Sequence, residues 1–113
     1  MDKLNRNREI VRSILSSWVE FDRRQPDPGV ETLLIADGEQ DHYMLLTIGW
    51  AGRRRIRQMR VFVRLIENKF WIEQDLTEEG IATELLRAGI SAEDIVLAFQ
   101  APEMRQYTEF AAA

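Results

Sequence analysis

Four arginines, Arg53, Arg54, Arg55 and Arg57, crowd one short stretch. The run from Gly52 to Arg64 holds six arginines and no acid. A guanidinium makes forked contacts with phosphate and with carboxylate. The cluster therefore suits a DNA backbone or an acidic partner surface. It equally suits a solvated hairpin turn, or pairing with the chain's own acids. Residues 65–113 carry ten Asp and Glu against three Lys and Arg, and charge runs on a surface carry little energy by themselves. Strict strand alternation puts Arg55 and Arg57 on one face and Arg60 and Arg64 on the other, unless a bulge intervenes.

Other chemistry is sparse. His42 is the only histidine. Asp41 or Asp37 could orient it as a base, but no serine, threonine or cysteine stands near it in a nucleophile motif. The spacing of Asp37, Glu39 and Asp41 is not that of a calcium loop and reads as a solvated turn. With no cysteine and one histidine, a zinc site is not expected. Gly49-Trp50-Ala51-Gly52 lacks the Lys-Ser/Thr and the receiving helix of a phosphate loop. Trp18, Trp50 and Trp71 read as core or core-edge residues, and none suggests a base-stacking platform. No catalytic residue, metal ligand or cofactor site is assigned, so the residues point to a binding protein rather than an enzyme.

These groups must be positioned by an α+β fold. Residues 3–24 carry an amphipathic helical period through Leu4, Val11, Ile14, Leu15, Trp18 and Phe21, with Asp22 the one polar member of the stripe. Gln25-Pro26-Asp27-Pro28-Gly29 ends it. Strands follow at Val30–Ala36, His42–Trp50, about Arg55–Ile66 and about Lys69–Gln74, with Asp37–Asp41, Ala51-Gly52 and Glu67-Asn68 as turns. In the third strand Met59, Val61, Val63 and Leu65 share the apolar face. Four antiparallel strands with one apolar face need a cover, and the first helix supplies it. Thr77-Glu78-Glu79 reads as the start of a second helix ending at Gly89. Ser91 to Asp94 resembles a capping box, and Ile95–Phe99 reads as a buried helical turn running into extended chain. One short helical turn is expected after Pro102.

A length of 113 residues and 45% hydrophobic content suit one domain spanning 1–113, large enough to bury a core. The absence of cysteine fits a reducing cytoplasm. No signal peptide or membrane-spanning apolar run is read. A net charge of -4 argues against a general nucleic-acid binder. Outside residues 52–64, nine bases face nineteen acids, so the basic strip sits on an acidic body and seeks an anionic contact or an internal match.

Several ordered blocks resemble the XisI family, described as fdxN element excision controlling factors in cyanobacteria. They are MDKL at the start, D-H-Y-x-L-L-x-x-G-W (Asp41–Trp50), the arginines after Gly52, and K-F-W-I (Lys69–Ile72). T-E-x-G-I-A-x-E-L (Thr77–Leu85), G-I-x-x-E-D-I-V-L-A-F (Gly89–Phe99) and R-Q-Y-T-E-F-A-x-A (Arg105–Ala113) complete the set. The resemblance implies a small α+β accessory factor in site-specific DNA rearrangement. It implies an XisH-like protein as partner and a site-specific recombinase served indirectly. It assigns no catalytic residue. Binding of that partner is the first expectation, and direct DNA contact through Arg53, Arg54, Arg55 and Arg57 is the alternative. A homo-oligomer is compatible with both.

Overall fold

The structure, a computed structural model, describes residues 2–25 and 27–113. Pro26, expected to break the first helix, lies outside them. Helix α1 spans Lys3–Arg24. Its start is fixed by Asp2, whose carboxylate accepts from the Asn5 N–H at 2.8 Å, satisfying a donor the helix cannot. Arg23 and Arg24 sit in the last turn, where positive charge suits the negative end of the helix dipole. The buried line is Asn7, Val11, Leu15 and Val19, a four-residue spacing narrower than the stripe expected. Trp18 packs at its margin, and Phe21 turns outward with 54% of its surface exposed.

Five strands follow in sheet order: β1 (Val30–Asp37), β2 (His42–Ala51), β3 (Arg54–Ile66), β4 (Lys69–Asp75) and β5 (Ile95–Leu97). The first four form an antiparallel meander. The β2–β3 turn is Gly52-Arg53, between paired Ala51 and Arg54. Gly52 alone of the two has positive φ (62°), as a tight turn with glycine first requires. The β3–β4 turn places Glu67 and Asn68 both at positive φ, a twist that matches the strands. Gly49 meets the start of β1 so closely that a Cβ there would lie 2.0 Å from the Gly29 carbonyl oxygen. Only glycine permits that approach.

β5 corrects the expectation at Ile95–Phe99. It is a short strand parallel to β4, with Ile95 opposite Phe70. The sheet is therefore mixed, within the α+β class expected. β4 and β5 are linked by α2 (Ile81–Arg87) and a 3-10 turn at Ala92–Asp94. The expected capping box does not form, since Ser91 makes no capping hydrogen bond. α2 also starts later than expected, after Gly80. Asp75, at the end of β4, accepts from Thr77 N–H (2.9 Å), Thr77 Oγ1 (2.6 Å) and Ile81 N–H (2.7 Å). A carboxylate six residues upstream thus does the capping work.

Two bulges reset the faces. Between Leu45↔Val61 and Leu46↔Met59 the register shifts, leaving Arg60 as an extra residue. Between Phe62↔Gln74 and Val63↔Ile72 it shifts again, leaving Glu73 extra. A bulge turns neighbouring side chains out of strict alternation. Arg60 therefore faces α1, where its Nη1 meets Asp22 at 2.8 Å. Thr32 donates to the same carboxylate at 2.7 Å. This explains the acid in the helical stripe. Val61, Val63 and Leu65 stay on the helix side as expected, while Met59 moves to the opposite face. Arg64 does not join Arg60; it pairs with Glu73 at 3.2 Å, on the same face as Arg55 and Arg57.

The core lies between α1, α2 and one face of the sheet. Tyr43, Leu45, Val61, Val63, Phe70, Ile72 and Ile95 meet Val11, Leu15, Ile81 and Leu85, all at most 1% exposed. Each such aliphatic or aromatic side chain contributes about 1.5–3 kcal/mol on burial. Among the described residues, no helix is long and apolar enough to cross a membrane.

Candidate protein-binding face and arginine hairpin

Strand alternation builds the site. Leu34 and Leu45 face the helices, so their neighbours face away. The cross-strand register then aligns Leu33 with Leu46, Ile35 with Met44 and Glu31 with Ile48. Across β3 it aligns Met44 with Phe62, Leu46 with Met59, Ile48 with Arg57, and Trp50 with Arg55. The face opposite α1 is thus a field of Leu, Ile, Met and Phe over β1–β3. Ile35 (40% exposed) and Trp50 (53%) are the most open of its apolar members. Trp, Met and Arg are the types enriched at protein interfaces, and Trp and Arg dominate their hot spots.

The β2–β3 hairpin forms one end of this face. All four residues Arg53, Arg54, Arg55 and Arg57 are exposed. Arg55 lies over the Trp50 ring at 5.1 Å and donates to the Gly49 carbonyl at 3.3 Å. The positive charge is thereby held against an aromatic face. Among the described residues none of these four forms an ion pair, whereas Arg60 and Arg64 do. The internal match expected for the basic strip is therefore partial. Two arginines are spent inside the fold and four remain outside. Trp50 is not the core-edge residue expected, because it stands on the open side of the sheet.

The β4–β5 side of the same face is already covered. Arg105 sits over Trp71 at 5.5 Å and donates to the carbonyls of Ala98 and Gln100, both at 3.1 Å. Ala111 N–H bonds the Ile95 carbonyl at 2.9 Å. The C-terminal segment straps that end and leaves β1–β3 bare.

The residues weighed for catalysis are engaged otherwise. Asp41 accepts two bonds from Arg8, at 2.6 and 3.1 Å, and one from the Tyr43 hydroxyl at 3.3 Å. His42 packs edge-on against Phe62, ring centres 5.7 Å apart. Asp37 caps its own turn, accepting from the N–H groups of Glu39 and Gln40. Asp37, Glu39 and Asp41 form no metal-holding cluster; none occurs among the described residues.

Burial, and then the nearby Asp41 charge, push the Tyr43 hydroxyl above its ordinary range. In the unfolded chain Tyr43 ionises near pH 10; in the folded chain it holds its proton longer. The folded state then binds more protons, so stability falls as pH rises above about 10. Tyr43→Phe is expected to flatten this alkaline loss while costing about 1 kcal/mol at neutral pH for the lost hydrogen bond. Urea unfolding at pH 7 and pH 11 measures both.

The comparisons with known proteins agree with this architecture. The XisI protein family matches residues 1–112. The chain belongs to the XisI family. It is similar to the crystal structure of an XisI-like protein from Anabaena variabilis ATCC 29413, with 37% identity and TM-score 0.91 over 97% of this chain and 99% of that one. It is also similar to the fdxN element excision controlling factor XisI from the same organism. There identity is 36% and TM-score 0.83, over 99% of this chain and 100% of that one. No curated protein matches the chain.

Proposed function

We propose that this chain is a non-catalytic accessory factor controlling excision of a DNA element, and that it acts by binding an XisH-like protein through the open face of β1–β3. Its kinship with a protein named as an excision controlling factor supports the first part. The observation that carries the second is the bare apolar field of Leu33, Ile35, Met44, Leu46, Ile48 and Met59, ending in Trp50 and unpaired arginines. Buried apolar area drives association, and charge at the rim selects and steers the partner. The occupant is expected to present an apolar patch with an acidic border. Co-expression with an XisH-like protein should give co-elution on size exclusion; two folded proteins eluting apart overturns the reading.

The unpaired hairpin arginines also favour a second reading, direct contact with DNA. Four phosphate contacts would give a slope of about -3.6 in log affinity against log salt. Reversing Arg53, Arg54, Arg55 and Arg57 to glutamate should then abolish DNA retention, and a variant that still binds DNA removes this reading.

A further inference from the structure

The two edges of the sheet are treated differently. The β5 edge is closed by the C-terminal segment, through the Val96↔Ala111 bridge. β1 is the opposite edge, and among the described residues no strand pairs with its outer side. The Trp50 N–H bonds the Gly29 carbonyl at 2.8 Å, which sets the alternation along β1. Glu31, Leu33, Ile35 and Asp37 direct their backbone groups to β2; Val30, Thr32, Leu34 and Ala36 direct theirs outward. The Val30 N–H is taken by the Asp27 carbonyl at 3.0 Å. That leaves the N–H groups of Thr32, Leu34 and Ala36 and the outward carbonyls. Proteins usually blunt such edges with charged side chains, above all lysine, with proline or with a bulge, and the charges of β1 are confined to Glu31 and Asp37 near its two ends. β1 contains no lysine or proline, and its pairing with β2 has no register shift.

We propose that this edge is the contact with a second copy of the chain, paired antiparallel across a two-fold axis at Leu33. In this register Thr32 faces Leu34 of the second copy, and two hydrogen bonds form at each of the two such pairings. Ala36 N–H meets the Val30 carbonyl of the second copy, once on each side. Every free outward N–H is then filled, and the one left unused is the Val30 N–H already bonded. Side chains agree with this register. Leu33 meets its own copy, and Glu31 faces Ile35 rather than an acid. A register centred on Leu34 would set Glu31 against Asp37, a like-charge pair that destabilises.

The two-fold axis stands perpendicular to the sheet. Both copies of α1 lie on one side, and both bare apolar faces join on the other, with the arginine hairpins apart. The inference goes beyond the partner reading and is tested on the chain alone, so either can fail without the other.

The experiment uses the absence of native cysteine. Opposed residues at such a non-hydrogen-bonded site have Cα atoms about 4.5 Å apart, within disulfide reach. Leu33→Cys should form a disulfide-linked dimer on mild oxidation. Ile35→Cys should not, because its copies are displaced by four residues along the strand. Light scattering of the unmodified protein should give about twice 13.2 kDa. Ala36→Pro removes only an outward donor, which an edge strand tolerates, and should weaken self-association at least tenfold with unchanged circular dichroism. A monomer at tens of micromolar, or equal cross-linking of the two cysteine variants, overturns the proposal. Should Ala36→Pro fail to fold, the cysteine pair still decides.

Discussion

Ile48→Asp is expected to abolish co-elution with an XisH-like protein while the fold persists. Ile48 stands in the bare face opposite Arg57 and is half-buried only by its neighbours. A carboxylate there stays in water in the free protein, and the strand loses at most about 1 kcal/mol of β preference. In the complex the charge would be buried. Desolvating a carboxylate costs several kcal/mol, which a neighbouring cation such as Arg57 repays only in part, so affinity should drop at least about thirtyfold. Leu45→Asp, on the other face of β2, is the contrast. Leu45 is 0% exposed, and its replacement should unfold the protein. Size exclusion of co-expressed proteins, with a thermal melt of each variant alone, reads both results. An Ile48→Asp protein that folds and still captures the partner moves the interface elsewhere.

Asp75→Ala is expected to lower stability by about 2–3 kcal/mol. The carboxylate accepts three bonds that tie the end of β4 to the loop and to the first turn of α2. Bonds to a charged acceptor are each worth about 1.5–3 kcal/mol when unmade, and a lost helix cap about 1 kcal/mol. Partial exposure and water replacement reduce the sum. Gly80 offers no side chain to compensate. Asp75→Asn should recover part of the loss through its remaining carbonyl oxygen. Urea denaturation of the three proteins gives the ranking, and an alanine variant within 0.5 kcal/mol of the parent refutes the capping role.

Much of this fold was legible because it is written in periods. The helical period through Leu4, Val11, Ile14, Leu15 and Trp18 marked α1, though the buried line proved narrower and runs on to Val19. The apolar runs between turn signals marked β1 to β4. The turns announced themselves at Gly52 and at Glu67-Asn68. What escaped depends on contacts distant in sequence. Nothing near Arg60 signals a bulge, yet that one extra residue sends Arg60 to Asp22 and Met59 to the open side. β5 has three residues, too few for a period, and exists because β4 and Ala111 flank it. The site was half visible. The arginines could be named, but that four lack ion pairs while two are bound internally follows from the bulges. The exposure of Trp50 follows from what covers each face, which alternation alone does not say.

The meander also bears on how the chain folds. β2, β3 and β4 are joined by two-residue turns, so their pairings close short loops. Rates of folding rise with such locality, because little chain entropy is lost before contacts form. The central hairpins are therefore suited to be the nucleus, with α1 and β5 docking late. Mutations in Val61 or Val63 should slow refolding, whereas mutations in Val96 should mainly speed unfolding. An early meander shows both faces to solvent until α1 arrives, so refolding should be cleaner at low protein concentration than at high.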